Sequence, residues 1–552
     1  MAATPSGRWT LAAVVVGALL ALPIAIVAAN VFVPGGEAWA HLSATVLPRY
    51  IRTTLLLLAL VLVGVVVVGV ACAWLVAACE FPGRRALEWA LLLPLAVPAY
   101  VIAYAYTDLL QFAGPLQTGL RSAFGWSAGD YWFPDIRSDG GAAAMFVCVL
   151  YPYVYLLARV AFLEQSSSLA EAGRTMGLSP WESFFRVSLP MARPAIAAGA
   201  SLALMETLAD FGTVSYFGVQ TFTTGIFRAW LSMGEPVSAA KLSVILLAFV
   251  GVILAVERWA RKRARYHEVS PGAHRERVRL AGAKAWAAAA ACAVPLALGF
   301  ALPALLLFKM SLAADTGTLG TRFANLAANS VSVSAITAVV AVAIALLLAY
   351  VARISRSRVA AAVNRVASLG YAVPGAVIAI GVLIPAARLD NAIADWAEAT
   401  FGVKMGLIFT GSLVALIYAY LIRFLAVALQ AVEAGLAQVT PHMEDAARSL
   451  GMNAAETLAR VHAPMLRSSL VTAALLVFVD VMKELPATFV MRPFDFDTLA
   501  VQAYNFAADE RLAEASTVSL AIVAVGLVPL VLASRRLMRR EEDVRGVAAP
   551  QS

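Results

Sequence analysis

The sequence predicts an all-α, polytopic membrane protein with about 12 transmembrane helices in two parallel six-helix repeats. Three observations carry that prediction. The composition is 61% hydrophobic against 14% charged, the apolar residues gather into runs long enough to span a bilayer, and landmarks in the first half of the chain recur in the second.

Composition sets the class. A soluble domain is about half apolar and about a quarter charged, and a mean hydropathy of +0.80 over 552 residues leaves no segment with the polar surface of a globular enzyme. The net charge of +8 is read as Lys and Arg collected in cytoplasmic loops rather than as nucleic-acid binding. Cys72, Cys79, Cys148 and Cys292 lie in apolar runs without metal-ligand spacing, so they read as small core residues, and neither metal nor cofactor is expected.

A span needs about 20 apolar residues. On that rule the spans fall at roughly 10–33, 53–79, 86–112, 141–163, 192–218 and 239–257, then 285–310, 329–353, 363–386, 407–431, 467–491 and 516–534. The first run is longer than a signal-peptide core, so despite the cleavage-like Ala38-Trp39-Ala40 it reads as an uncleaved span. Orientation follows the positive charge. Arg8, Arg84, Arg85, the 164–190 segment, Arg353, Arg358 and Arg535 to Arg540 share one side, whereas Asp130, Asp135, Asp390, Asp395, Asp495 and Asp509 share the other. The first side is assigned to the cytoplasm, which puts both termini inside.

Between the sixth and seventh spans, residues 258–284 carry nine Lys or Arg against Glu268 and Glu276, broken by Pro271-Gly272. This is read as a basic cytoplasmic linker between a first repeat at 1–257 and a second at 285–552. A nucleic-acid arm is the competing reading, and the place of the segment between six spans and six argues against it.

The repeat is visible in single residues. Ala96-Val97-Pro98 recurs as Ala372-Val373-Pro374, an offset of 276, and Gly177 and Pro190 recur as Gly451 and Pro464, an offset of 274. Half of 552 is 276, so the chain reads as two tandem copies.

The segment joining the fourth and fifth spans is long in both copies. In the first, at 168–190, Ser168 with Glu171 and Ser179 with Glu182 form two capping boxes around Gly177, with Pro180 at the first helical position. In the second, at 440–464, Thr440-Pro441, Gly451 and the Asn453–Glu456 box repeat the scheme with different residues. Both specify helix, glycine turn, short helix: a stiff elbow. Trp181, Phe184 and Phe185 are placed on or near one face of the short helix, as anchors for a pocket on a partner protein. An interfacial amphipathic helix is the competing reading, and duplication at matched positions speaks against it.

These residues resemble the signature loop of ATP-binding-cassette (ABC) importer permeases: Glu-Ala-Ala, three residues, Gly, nine residues, Ile-x-Leu-Pro. Glu171, Ala172, Gly173, Gly177, Val187, Leu189 and Pro190 match it, and Asp445, Ala446, Ala447, Gly451, Val461 and Pro464 match it again, with Asp445 for Glu and Ala463 for Leu. The resemblance implies a type I importer fold, in which the short helix after the glycine docks into a homodimeric cytoplasmic ATPase. That would give Glu171, Ala172, Gly177, Trp181, Phe184, Phe185, Pro190, Asp445, Ala446, Gly451 and Pro464 a coupling role. It further implies a periplasmic substrate-binding protein as partner. No Gly-x-x-x-x-Gly-Lys-Ser/Thr occurs, so the chain lacks a phosphate-cradling loop of its own.

After each elbow come acids within a span. Glu206 and Asp210 are four apart, as are Asp480 and Glu484, at an offset of 274. Such spacing puts both carboxylates of a pair on one helix face, and acids in hydrocarbon normally face a cavity. Two readings stay open: a translocation pathway for a cation, or caps of broken helices paired with Lys483 and Arg residues. Gly212 and Pro486 predict interruptions beside the acids. The segment from Met205 to Gly218, with Thr221 to Trp230, and the fusion of two halves resemble ferric-iron importer permeases; thiamine permeases are also fused, and sulfate, molybdate and polyamine permeases share the elbow. Tyr100, Tyr104, Tyr106, Tyr151, Tyr153, Tyr155 and Tyr216 read as an interfacial belt rather than as iron ligands. A twelve-helix secondary transporter fits the topology but gives no reason for duplicated elbows. A membrane enzyme lacks any catalytic motif here, since the five His lie in loops, linker or elbow.

Overall fold

The computed structural model describes residues 5–165, 179–262, 277–313, 316–355, 357–437 and 439–547. Ten helices among these are long and apolar enough to cross a bilayer, and two bent pairs bring the number to 12. Each corresponds to one of the twelve predicted spans.

The departures from straight spans have local causes. The predicted 86–112 span is a pair, Arg84–Ala96 and Ala99–Phe124, turned through 93°. Val97 and Pro98 are extended at the bend, with ψ of 117° and 144°. A residue before proline is pushed out of the helical region, and the repeated Ala-Val-Pro does the same at Val373, where ψ is 102°. There it separates a short helix, Arg358–Leu369, from the span Gly375–Phe401. The ninth span therefore sits some twelve residues later than the apolar run suggested.

Two compact units arise, and neither is contiguous in sequence. One comprises Met1–Leu42, Gly225–Leu247 and Asp315–Gln502; the other comprises Ser43–Thr224, Ala248–Ala314 and Ala503–Ser552. The first helix of the chain thus packs among second-half helices, and the helices of residues 283–311 pack among first-half ones.

Prolines inside these exchanged helices help fix them. Pro23 has no N–H for the Leu19 carbonyl one turn back, and the Tyr418 hydroxyl donates to that carbonyl instead. Likewise Pro295 frees the Ala291 carbonyl, which receives the Cys72 thiol at 3.8 Å. Gly381 permits the close approach of the first helix: a Cβ there would lie 2.6 Å from the Pro23 carbonyl oxygen.

In the 43–224 unit the core is formed by the helices Leu47–Ala78, Asp139–Leu163 and Leu189–Ala209. In the 315–502 unit the matching helices are Thr316–Ser355, Leu413–Leu436 and Arg467–Met482. Ser138 and Ser412 cap equivalent helices by accepting from the N–H groups of Gly141 and Ala415. One polar contact is kept with its chemistry exchanged. Arg159 pairs with Glu88 in the first half, while at the matching positions Glu433 accepts from Asn364 at 2.8 Å in the second.

The linker is shorter than composition suggested. Helix Pro236–Lys262 runs into its basic start, and Val278–Arg279 pairs in parallel with Cys79–Glu80 at its end.

Candidate functional site

The second elbow, 440–464, is described throughout, except for the side chains of Pro441 and Arg448. Its helix Pro441–Ser449 ends before Gly451, whose φ of +80° is the left-handed conformation predicted for the turn. Asn453 and Glu456 then form the predicted capping box, and the short helix Ala454–Thr457 starts there. In the first elbow Glu171, Ala172 and Gly177 lie outside the described residues, as does the Trp181 side chain. From Ser179 onward the first elbow matches the second: the Glu182 carboxylate accepts from the Ser179 N–H at 2.9 Å and from its hydroxyl at 2.8 Å. Those two donors hold the Glu182 carboxyl below the usual carboxylate range.

Both short helices pass into a wide π turn at corresponding places, Phe184–Ser188 and Leu458–His462. Leu189 and Ala463 donate five residues back, to Phe184 and Leu458. The cause is the closing proline. Pro190 and Pro464 cannot donate and their rings crowd the carbonyl four residues earlier, so the preceding turn opens to make room. Sequence reasoning missed this geometry, although the equal placement of the two prolines after their glycines carried the signal.

The aromatic face divides. Phe185 is 59% exposed, whereas Phe184 is 7% exposed and packs its ring 4.7 Å from Trp74. Adjacent residues on a helical turn point about 100° apart, so both rings cannot face one partner. Phe184 roots the elbow in its own unit, which corrects the expectation that it is offered outward. Gln165 adds to the root by donating to the Ser188 carbonyl at 2.9 Å.

In the second elbow the anchoring is polar. Arg353, near the end of helix Thr316–Ser355, donates to Glu444 and to the carbonyls of Leu436 and Val439. His462, with no exposed surface, lies 3.5 Å from the same carboxylate and stacks against Tyr350 at 5.3 Å. It is a core residue of the elbow.

Beyond each elbow the helix breaks beside the acids, as Gly212 and Pro486 predicted. Helix Leu189–Ala209 stops, Asp210 turns extended with ψ of 140°, and a short helix resumes at Gly212–Tyr216. Asp210 Oδ1 accepts from the N–H groups of Thr213 at 2.9 Å and Val214 at 3.3 Å. Helix Arg467–Met482 stops likewise before Pro486–Met491, and Glu484 accepts from the N–H groups of Ala487 and Thr488, each at 2.9 Å. The acids nearer the break thus cap the resumed helix. Glu206 and Asp480 lie a turn earlier, half-buried, and Asp480 meets Lys483 at 2.9 Å. Sequence alone did not single out Arg423, which pairs with Glu484 at 3.1 Å; a lone cation in the apolar run Leu413–Leu436 was its signal.

Five of the seven tyrosines are core residues rather than a belt. Tyr100, Tyr104, Tyr106, Tyr151 and Tyr155 are each 5% exposed or less. Tyr106 and Tyr155 spend their hydroxyls on the carbonyls of Leu298 and Glu88, each at 2.7 Å. Buried phenols need such acceptors, which broken helices supply.

Comparison with known proteins places these features. The family model described as binding-protein-dependent transport system inner membrane component matches twice, at residues 66–266 and 341–541. The Fe(3+)-transport system permease protein FbpB 2 of Haemophilus influenzae is 26% identical over 487 residues, 87% of this chain and 88% of that protein. The molybdenum transport system permease protein ModB of Escherichia coli is 27% identical over 203 residues, 36% of this chain and 86% of that protein. The sulfate transport system permease protein CysT of Escherichia coli is 26% identical over 196 residues, 34% of this chain and 68% of that protein. Two matched elbows, two matched helix breaks and two copies of one family unit agree: the chain belongs to the binding-protein-dependent transport system inner membrane components, and is a multi-pass ABC importer permease with its two halves fused, resembling the ferric-iron permeases.

Proposed function

We propose that this permease passes ferric iron from a periplasmic binding protein to the cytoplasm, driven by a separate ATPase. The observation that carries the cargo is the reach of the similarity. The H. influenzae Fe(3+) permease aligns with 87% of the chain, through both halves, whereas the molybdenum and sulfate permeases each align with about a third of it. The elbows are the ATPase contacts in this reading. Phe185 and the Trp181 position meet the partner; Glu171, Ala172, Gly177, Pro190, Asp445, Ala446, Gly451 and Pro464 shape the two elbows; and Phe184 and Arg353 hold them to the membrane helices. Both termini are cytoplasmic, since the Lys and Arg of the elbows and linker favour that face. The cargo's route runs past the broken helices that follow the elbows.

The test is uptake by proteoliposomes holding the chain with its ATPase and binding protein. Radiolabelled ferric citrate should accumulate with ATP, while thiamine, molybdate and sulfate should not. Accumulation of any of the latter three without iron overturns the cargo.

A further inference from the structure

Asp210 and Glu484 hold matching places in the repeat, but their surroundings are unlike. In the second half both acids are neutralised: Asp480 by Lys483 at 2.9 Å and Glu484 by Arg423 at 3.1 Å. The matching first-half positions are Ala209 and Val149, which carry no charge. Among the described residues neither Glu206 nor Asp210 has a cation within ion-pair distance. Asp210 is met only by dipoles, the N–H groups of Thr213 and Val214 and the Thr213 hydroxyl at 3.1 Å.

A second observation lies beside it. Tyr104 has no exposed surface, and its hydroxyl has no hydrogen-bond partner among the described residues. Its ring meets Tyr216 edge-on at 4.8 Å and tilts against Tyr100 at 5.8 Å, and Tyr216 closes the short helix that Asp210 caps. Leaving a buried hydroxyl unmatched is unfavourable, and a ligand in contact with it relieves that cost. The second-half positions matching Tyr100, Tyr104 and Tyr216 are Ala376, Ile380 and Val490. Both the uncompensated charge and the spare oxygen donor therefore belong to the first half alone.

Carboxylate and hydroxyl oxygens are the donors that hard cations favour, and carboxylates without counter-ions in a weakly polarisable interior attract a multivalent cation and repel an oxyanion. We propose that the first half carries a station for a hard multivalent cation, made by Asp210, Glu206 and Tyr104, and that Asp480 and Glu484 are structural acids held by Lys483 and Arg423. No three His, Cys, Asp or Glu side chains converge as a metal cage among the described residues. The station deepens the transport reading, on which it rests, by narrowing four candidate acids to two.

Terbium(III) is the probe, being a redox-inert trivalent ion whose emission is excited through a nearby tyrosine. It is titrated into the full chain in lipid nanodiscs, and ferric uptake is measured in parallel with the complete transporter. Asp210→Asn with Glu206→Gln should weaken tyrosine-excited emission and uptake per folded molecule about tenfold. Asparagine still caps the resumed helix, so folding is preserved. Tyr104→Phe should weaken the emission too, whereas the charge-balanced pairs Asp480→Asn with Lys483→Met and Glu484→Gln with Arg423→Met should leave both readouts within about twofold. Unchanged emission in the first-half variant, or equal losses in the second-half ones, overturns the station. Terbium emission that depends on Asp210 in a chain importing no iron overturns the cargo and leaves the station standing; iron uptake that survives Asp210→Asn with Glu206→Gln does the reverse.

Discussion

Arg353 reaches from the end of a membrane helix to the Glu444 carboxylate and the last carbonyls before the second elbow, so one guanidinium joins two helices and the turn between them. Arg353→Met should therefore loosen the second elbow while leaving the spans folded. The expected result is faster proteolysis within 437–453 and a loss of transport-coupled ATP hydrolysis, with the melting temperature lowered by a few degrees. Wild-type proteolysis and coupling in Arg353→Met would show that the pair is incidental.

The two phenylalanines of the first elbow should separate by assay. Phe184→Ala empties a packed site beside Trp74 and is expected to cost about 3 kcal/mol of stability. Phe185→Ala removes an exposed ring, so it should leave the melting temperature alone and reduce recovery of the ATPase in a pull-down. An unstable Phe185→Ala with normal pull-down refutes the division of roles.

Breaking the Arg423–Glu484 pair from one side should harm more than removing it. Arg423→Met leaves a buried carboxylate unmatched and is expected to cost about 3–5 kcal/mol. Glu484→Gln added to it removes the unmatched charge and keeps an acceptor for one of the Ala487 and Thr488 N–H groups, which Glu484 meets with separate oxygens, so it should recover part of that loss in thermal melts. A double variant no more stable than Arg423→Met contradicts this account.

Glycines at helix contacts should be intolerant where backbones meet. A Cβ on Gly199 would lie 2.7 Å from both the Tyr153 carbonyl oxygen and the Val154 Cα, whereas Gly251 has open space. In a bilayer, small residues let helices approach this closely. Gly199→Val should lower the yield of folded protein in detergent, and Gly251→Val should not; similar yields would count against the helix contact.

The linker is expected to be dispensable only in its middle. Separate chains of residues 1–265 and 275–552 keep the pairing of Val278–Arg279 with Cys79–Glu80 and should restore transport when co-expressed. Chains of 1–265 and 282–552 lack that pairing and should associate less well by co-purification. Equal recovery of the two pairs would make the short pairing irrelevant.

Much of this was legible in the sequence, because bilayer thickness and backbone chemistry leave few choices. Gly451, the Asn453–Glu456 box and the breaks at Gly212 and Pro486 were readable because each is a local rule of dihedral angle or capping. The bend at Val97-Pro98 was visible as a repeat marker before its conformational meaning was seen. What escaped was non-local. Burial of Phe184 depends on Trp74, more than a hundred residues away, and burial of the tyrosines depends on carbonyls supplied by other helices. The exchange of helices between the two sequence halves depends on pairings such as Tyr418 with Leu19, which no periodicity within one helix encodes.

That exchange also sets an order of events during synthesis. The first helix emerges early, but Val363, Gly381 and Tyr418, against which it lies, are made more than 300 residues later. At about 5–20 residues per second the wait is tens of seconds. Through that interval the helix resides in the bilayer without the Tyr418 hydroxyl for its Leu19 carbonyl. The second unit waits still longer, because its closing segment begins at Ala503. Premature termination before Gln502 therefore leaves neither unit finished, and such a truncated chain presents unfinished surfaces to the membrane's quality control in place of a working fragment.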